Sequence, residues 1–223
     1  MKKYMSAIVF WGALWGLEEA TLGHLLHITT LNIGWVLWFP LAYFFMAMVY
    51  KQTGKINAIL ITSVVAAVIK LTNLFMTPHP LLVLCPALSI FLEGISLFVV
   101  LKLFNGKKQL VRLPLLRTGL VSVLWRISYA IVILAIPVSI MSSYPYKTIG
   151  MLFKFIFFEG IVNSLLAVGI GVVAKRIKEI YINNHTSIKR FMEEISHRIK
   201  GICFRPLFSL SLLAVAILIQ VFL

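Results

Sequence analysis

The stretch Phe10-Trp-Gly-Ala-Leu-Trp-Gly-Leu-Glu-Glu-Ala-Thr-Leu-Gly-His-Leu-Leu-His27 decides how this chain has to fold. It is apolar enough to cross a bilayer, yet it carries Glu18 and Glu19 side by side near its middle. A carboxylate at membrane depth is costly and turns toward the inside of a bundle or a water-filled cavity. At helical spacing Gly12, Gly16, Glu19, Gly23 and His27 share one stripe, a nearly side-chain-free face interrupted by an acid and closed by an imidazole. The stripe cannot face lipid, and the rest of the chain is expected to pack around it.

Composition places the chain in the same class. Of its 223 residues 61% are hydrophobic and 13% charged, with mean hydropathy +0.98, far from soluble usage and typical of an integral membrane protein. Twenty-one Lys and Arg against seven acids give a formal charge of +14, a balance that nucleic-acid binders also show. Here most of the positive charge sits in short loops between apolar runs, which is a positive-inside pattern, so no nucleic-acid partner is expected. The basic start followed by an apolar run could be a signal peptide. The run is too long, contains Glu18 and Glu19 and lacks a small-residue cleavage site, so it stays as the first span.

The reading is an all-α, polytopic membrane bundle. Six apolar segments near the roughly 20 residues a bilayer requires read as helices at about 5–28, 31–50, 56–77, 82–104, 118–140 and 149–174, forming a bundle over 1–174. Turn and charge signals separate them at 51–55, 77–80, 105–117 and 142–147. Residues 175–206 differ in kind: Ile188, Phe191, Met192, Ile195, Ile199 and Ile202 recur at helical spacing among Lys and Arg, which predicts a basic amphipathic linker helix on anionic lipid headgroups or on a cytoplasmic partner. A last apolar run, 207–223, is a short seventh span. With the N-terminus in the cytoplasm of a multi-pass cell-membrane protein, Lys147 is left as the single loop cation outside, and Cys85 and Cys203 fall on opposite sides, so no disulfide joins them.

The ionisable groups within spans are the candidate site. Glu18, Glu19, Glu93 and Glu159 lie there, as do Lys70, Arg126 and Lys154. Ala67–Thr72 followed by Phe91–Ile95 resembles Val123–Ser128 followed by Phe158–Ile161, each a hairpin with one cation and then a Glu-Gly pair. Two readings stay open. Lys70–Glu93 and Arg126–Glu159 are structural ion pairs that fix helix register, or the acids serve a ligand. After such pairing Glu18 and Glu19 keep no partner except Lys154 or something entering from outside. His24, His27, His79 and Cys85 gather at the outer side, where such a set could ligate a soft or borderline metal, though the spacing matches no known signature. Trp15, with Trp11 and Trp125, lies deep enough to stack on a flat ligand or simply to fill the core. Pro78, Pro80 and Pro86 suggest an unwound, re-entrant start to the fourth span. No phosphate loop, His-Glu-x-x-His or Gly-x-Ser-x-Gly is present, so ATP-driven pumping by this chain alone is excluded, and no cofactor is called for.

A small, basic, six-helix bundle without a nucleotide site, with Gly12-x-x-x-Gly16 on its first helix, resembles the substrate-binding S components of energy-coupling-factor transporters. The resemblance implies a solute-binding subunit for a vitamin-like or metal-containing micronutrient, cupped by the outer halves of the helices. It also implies a coupling subunit docked on the small-residue motif and ATPase subunits that supply the energy. The pocket would then draw on Trp15, Glu18, Glu19, His24, His27, Lys70, His79, Cys85, Glu93, Arg126 and Glu159. Two alternatives come from the residues themselves. One is an intramembrane enzyme using Glu18, Glu19, His24 and His27 as acid–base groups. The other is an ion-coupled carrier using the Lys/Glu and Arg/Glu pairs as a relay.

Overall fold

A computed structural model describes residues 2–28, 34–75, 80–104, 114–136, 148–177, 179 and 186–222, with side chains at all of these but 2–3, 23–28, 186–193 and 221–222. Helices follow the apolar runs. They are α1 (Lys2–Ile28), α2 (Gly34–Thr53), α3 (Ile56–Leu71, continued by a 3-10 turn Thr72–Phe75), α4 (Leu81–Phe104) and α5 (Pro114–Ala135). Next come α6 (Ile149–Phe153, a π-helical turn Lys154–Phe158, then Glu159–Ile177), α7 (Thr186–Cys203) and α8 (Pro206–Phe222). Among the described residues α3 with its 3-10 turn, α4, α5 and α6 are each long and apolar enough to cross a membrane, and Glu194–Cys203 with Pro206–Gln220, bent by 79° from one another, reach that length and apolarity only when counted together. With 27 and 20 residues α1 and α2 have the length as well, but Glu18 and Glu19 dilute the first, and Lys51 with the Trp and Tyr residues dilutes the second. Large apolar side chains such as Val68, Ile131, Ile161 and Val173 lie exposed along the outer faces, an apolar girdle that places the molecule in a membrane.

Around the bundle the helices neighbour one another in the order α1, α3, α4, α5, α6, α2 and back to α1, so six helices close a ring. Outside it α8 packs along α1 in parallel: Ser6 Oγ and Ser209 Oγ share a buried hydrogen bond of 2.9 Å, the Phe10 and Phe208 rings are 6.1 Å apart, and Ala13, Ile69 and Ala216 are buried together. The α1–α3 seam is made by the glycines. A Cβ on Gly12 would fall 2.7 Å from Val65 Cβ and 3.1 Å from the Thr62 carbonyl, and one on Gly16 would fall 2.7 Å from Ile69 Cδ1. The small-residue stripe is therefore an internal close approach, with side-chain-free backbone meeting β-branched residues of α3. Gly94 on α4 meets Ser63 in the same way, and Gly160 on α6 lies against Val123 and Ser122, so each Glu-Gly pair seats its glycine on the preceding helix.

One end of the ring collects basic residues. Lys55 Nζ sits 4.3 Å above the Tyr4 ring, Trp11 Nε1 donates to Gln52 Oε1 at 2.9 Å, and Gln52 Nε2 reaches Cys203 Sγ at 3.8 Å. These contacts tie the start of α1, the α2–α3 turn and the α7–α8 elbow together. The turn itself passes through Gly54 at φ +65°, a conformation open to glycine.

Two expectations change. α4 is regular helix from Leu81 onward with Pro86 inside it and the Val83 and Leu84 amides bonded to the Pro80 carbonyl, so no unwound segment covers 81–86. A proline near the helix start removes one amide where few intrahelical bonds yet exist, and the helix continues past it. Residues 76–79 lie outside the described residues. α5 begins at Pro114, four residues before the expected start, because proline's fixed φ suits a first helical turn.

Candidate functional site

Five helices bring ionisable side chains to the interior of the ring, toward the end away from the basic one. Glu18 and Glu19 come from α1, Lys70 from α3, Glu93 from α4, Arg126 from α5 and Glu159 from α6. Glu93 and Arg126 are 4% and 2% exposed, deep enough that water does little to screen either charge. Lys70 lies within electrostatic range of Glu18 and Glu19; Glu93 is within range of Glu18, Glu19 and Arg126; Glu159 is within range of Arg126 and Lys154. The groups thus form one connected set.

Its connectivity differs from the hairpin-by-hairpin scheme. No ion pair within 4 Å joins Lys70 to Glu93 among the described residues; Lys70 faces the α1 acids instead. The reason is ring order: α3 lies between α1 and α4, so the cation at its far end is shared with the helix before it. Lys154, the one cation the sequence left open as a partner for Glu18 and Glu19, is exposed and stands near Glu159. Arg126 and Glu159 do lie near one another, as the second repeat suggested.

Arg126 is held on all sides. Its Nη1 donates to Ser122 Oγ at 2.7 Å, and its guanidinium centre lies 4.5 Å from the Trp125 ring centroid, 5.4 Å from that of Phe155 and 6.0 Å from that of Phe39. Such stacking on aromatic faces stabilises a desolvated cation and fixes its orientation. The π-helical turn of α6 carries Phe155 and ends immediately before Glu159, a device found often at functional sites. Trp15 stacks on Phe45 with rings 6.3 Å apart and 17° from parallel, and is 1% exposed, so it fills the core of the basic half. Asn163, wholly buried on α6, donates to the Trp35 carbonyl at 2.8 Å and locks α6 to α2.

Buried polar atoms in or next to this set have no hydrogen-bond partner among the described residues, among them Glu18 Oε1, Ser96 Oγ one turn beyond Glu93, Trp125 Nε1 beside Arg126 and Asn163 Oδ1 one turn beyond Glu159. Acceptors, a hydroxyl and a donor are thereby left for something else, since buried polar groups are nearly always bonded. Hydropathy could not have pointed to Ser96, Ser122 or Asn163, because Ser and Asn within an apolar span carry no signal until neighbours are known.

The His/Cys set is only partly covered. The side chains of His24 and His27 and all of His79 lie outside the described residues, while Cys85 is half-buried, free, and hydrogen-bonded to Tyr129 of α5. Among the described residues no three His, Cys, Asp or Glu side chains come together in a metal-binding arrangement. No family model, characterised protein or solved structure matches this chain.

Proposed function

We propose that this chain is a multi-pass membrane protein that binds a small solute inside its helix ring and takes part in the solute's transport. The observation that carries the reading is the unpartnered Glu18 carboxylate oxygen within a set of buried acids and cations contributed by five helices. Intramembrane ionisable groups mark substrate or ion pathways far more often than lipid-facing surface. With Glu18, Glu19, Glu93 and Glu159 set against Lys70 and Arg126, the interior favours a solute with cationic or hydrogen-bond-donating groups. In this proposal six ring helices and α8 span the membrane, the basic end with the N-terminus faces the cytoplasm, and the solute enters from the opposite side. The likeness to energy-coupling-factor S components supports a role as the specificity subunit for a vitamin-like or metal-containing micronutrient, with a coupling subunit and ATPases as partners. Because α3 covers Gly12 and Gly16, such a subunit would dock on another face.

Native mass spectrometry of the gently solubilised protein tests the binding claim. A retained small molecule is expected, and Glu18→Gln should weaken its retention by about 2 kcal/mol or more, the cost of disabling one side of a buried charged contact. Retention unchanged in Glu18→Gln and in Glu93→Gln would remove the cluster from the binding site. The alternation of Lys70, the α1 acids, Glu93, Arg126 and Glu159 across the ring also suits an ion-coupled carrier. Uptake into proteoliposomes by this chain alone, abolished on collapsing the proton gradient, would favour that reading over a partner-driven one.

A further inference from the structure

Beside the 79° elbow between α7 and α8 lies an open apolar hollow of about 210 Å³, lined by Phe10, Leu14, Ile199, Ile202, Phe208 and Leu212. It lies toward the basic end of the bundle, where Cys203 meets Gln52. Its lining offers no polar atom to water, and its size leaves room for a hydrocarbon segment entering from the open side. What closes it from below is unlike a membrane span. Arg198 and Lys200 are exposed on α7, and Arg205 is exposed in the turn before Pro206, so cations flank the apolar wall. Arg198 is engaged by Glu194 at 2.6 Å, whereas no ion pair among the described residues engages Lys200 or Arg205. Pro206 and the bend place that pair where α7 gives way to the membrane helix α8, the depth of a headgroup.

We propose that this elbow is a binding site for one anionic phospholipid, an acyl chain lying in the hollow and the phosphate facing Lys200 and Arg205. Headgroup charge and acyl chain are matched by two different parts of one corner, a pairing that neither α7 nor α8 supplies alone. The site is separate from the solute cluster, and its occupancy holds α7 against α1 and α8.

The test uses the full chain in nanodiscs of equal phosphatidylglycerol and phosphatidylcholine, released gently and weighed intact. Wild type is expected to keep one phosphatidylglycerol. Ile202→Trp, which fills the hollow, should cut that retention by about tenfold, the equivalent of 1.4 kcal/mol, while eluting as wild type. Lys200→Gln/Arg205→Gln leaves the hollow intact and should keep a lipid but lose the preference for phosphatidylglycerol. Equal retention of the two lipids by wild type overturns the proposal, as does undiminished retention in well-folded Ile202→Trp. If Ile202→Trp does not fold, an unaltered phosphatidylglycerol preference in the double Gln variant overturns it instead.

Discussion

Gly12→Val separates an internal glycine seam from an external docking surface by the sign of its effect. A side chain at Gly12 would begin 2.7 Å from Val65 Cβ and 3.1 Å from the Thr62 carbonyl. Neither neighbour can step aside. Val65 branches at the crowded atom, and the Thr62 carbonyl belongs to the hydrogen-bonded backbone of α3. The helices must separate, and overpacking of this kind costs about 1–3 kcal/mol. Set against it is a gain of a few tenths of a kcal/mol from replacing glycine in a helix. At about 2–4 °C per kcal/mol for a chain of this size, the melting temperature of the detergent-solubilised protein should fall by roughly 2–12 °C. Gly169→Ala is the control: a Cβ there meets nothing within 4 Å, so the same loss of glycine should leave stability unchanged or raised by up to about 1 kcal/mol. Tryptophan fluorescence followed on heating reads both. Should Gly12→Val melt with or above wild type while Gly169→Ala behaves as stated, the α1–α3 seam is not as close as argued, and the stripe is free for a partner.

Three further outcomes follow from the packing. Cys203 is wholly buried and Cys85 only half-buried, both free, so intact-mass analysis after brief maleimide treatment should find one adduct at Cys85, and two only once the protein unfolds; prompt labelling of Cys203 would contradict the elbow. Asn163→Leu removes the side-chain donor to the Trp35 carbonyl and should cost about 0.5–1.5 kcal/mol, read as a lowered melting temperature. A variant as stable as wild type would mean that α6 does not depend on α2 there. Ser6→Ala and Ser209→Ala should each cost little and show a coupling of about 0.6 kcal/mol in a double-mutant cycle, the size found for hydrogen bonds between membrane helices; additive effects would deny the parallel α1–α8 register.

Helix positions were legible because a bilayer imposes one requirement on every span, a long apolar run with its backbone bonded internally, and hydropathy reports that run directly. The acids on α1 were legible as inward-facing for the same reason. Their partner was not. Lys70 and Lys154 are both cations near span ends, and which one Glu18 and Glu19 meet depends on α3 lying between α1 and α4. Apolar spans resemble one another too closely to encode that order one at a time.

The glycine stripe marks the same boundary. From residues alone it demanded a close neighbour, since a face without side chains wastes packing against lipid, but it was equally suited to another chain and to this one. Sequence by itself therefore determined the membrane class, the helices and the inward turn of the acids, all consequences of moving polar groups out of water. Only the tertiary structure decided that α3 fills the stripe, that α8 lies along α1, and that five helices place their charges in one interior, because these depend on complementary shape between segments distant in the chain.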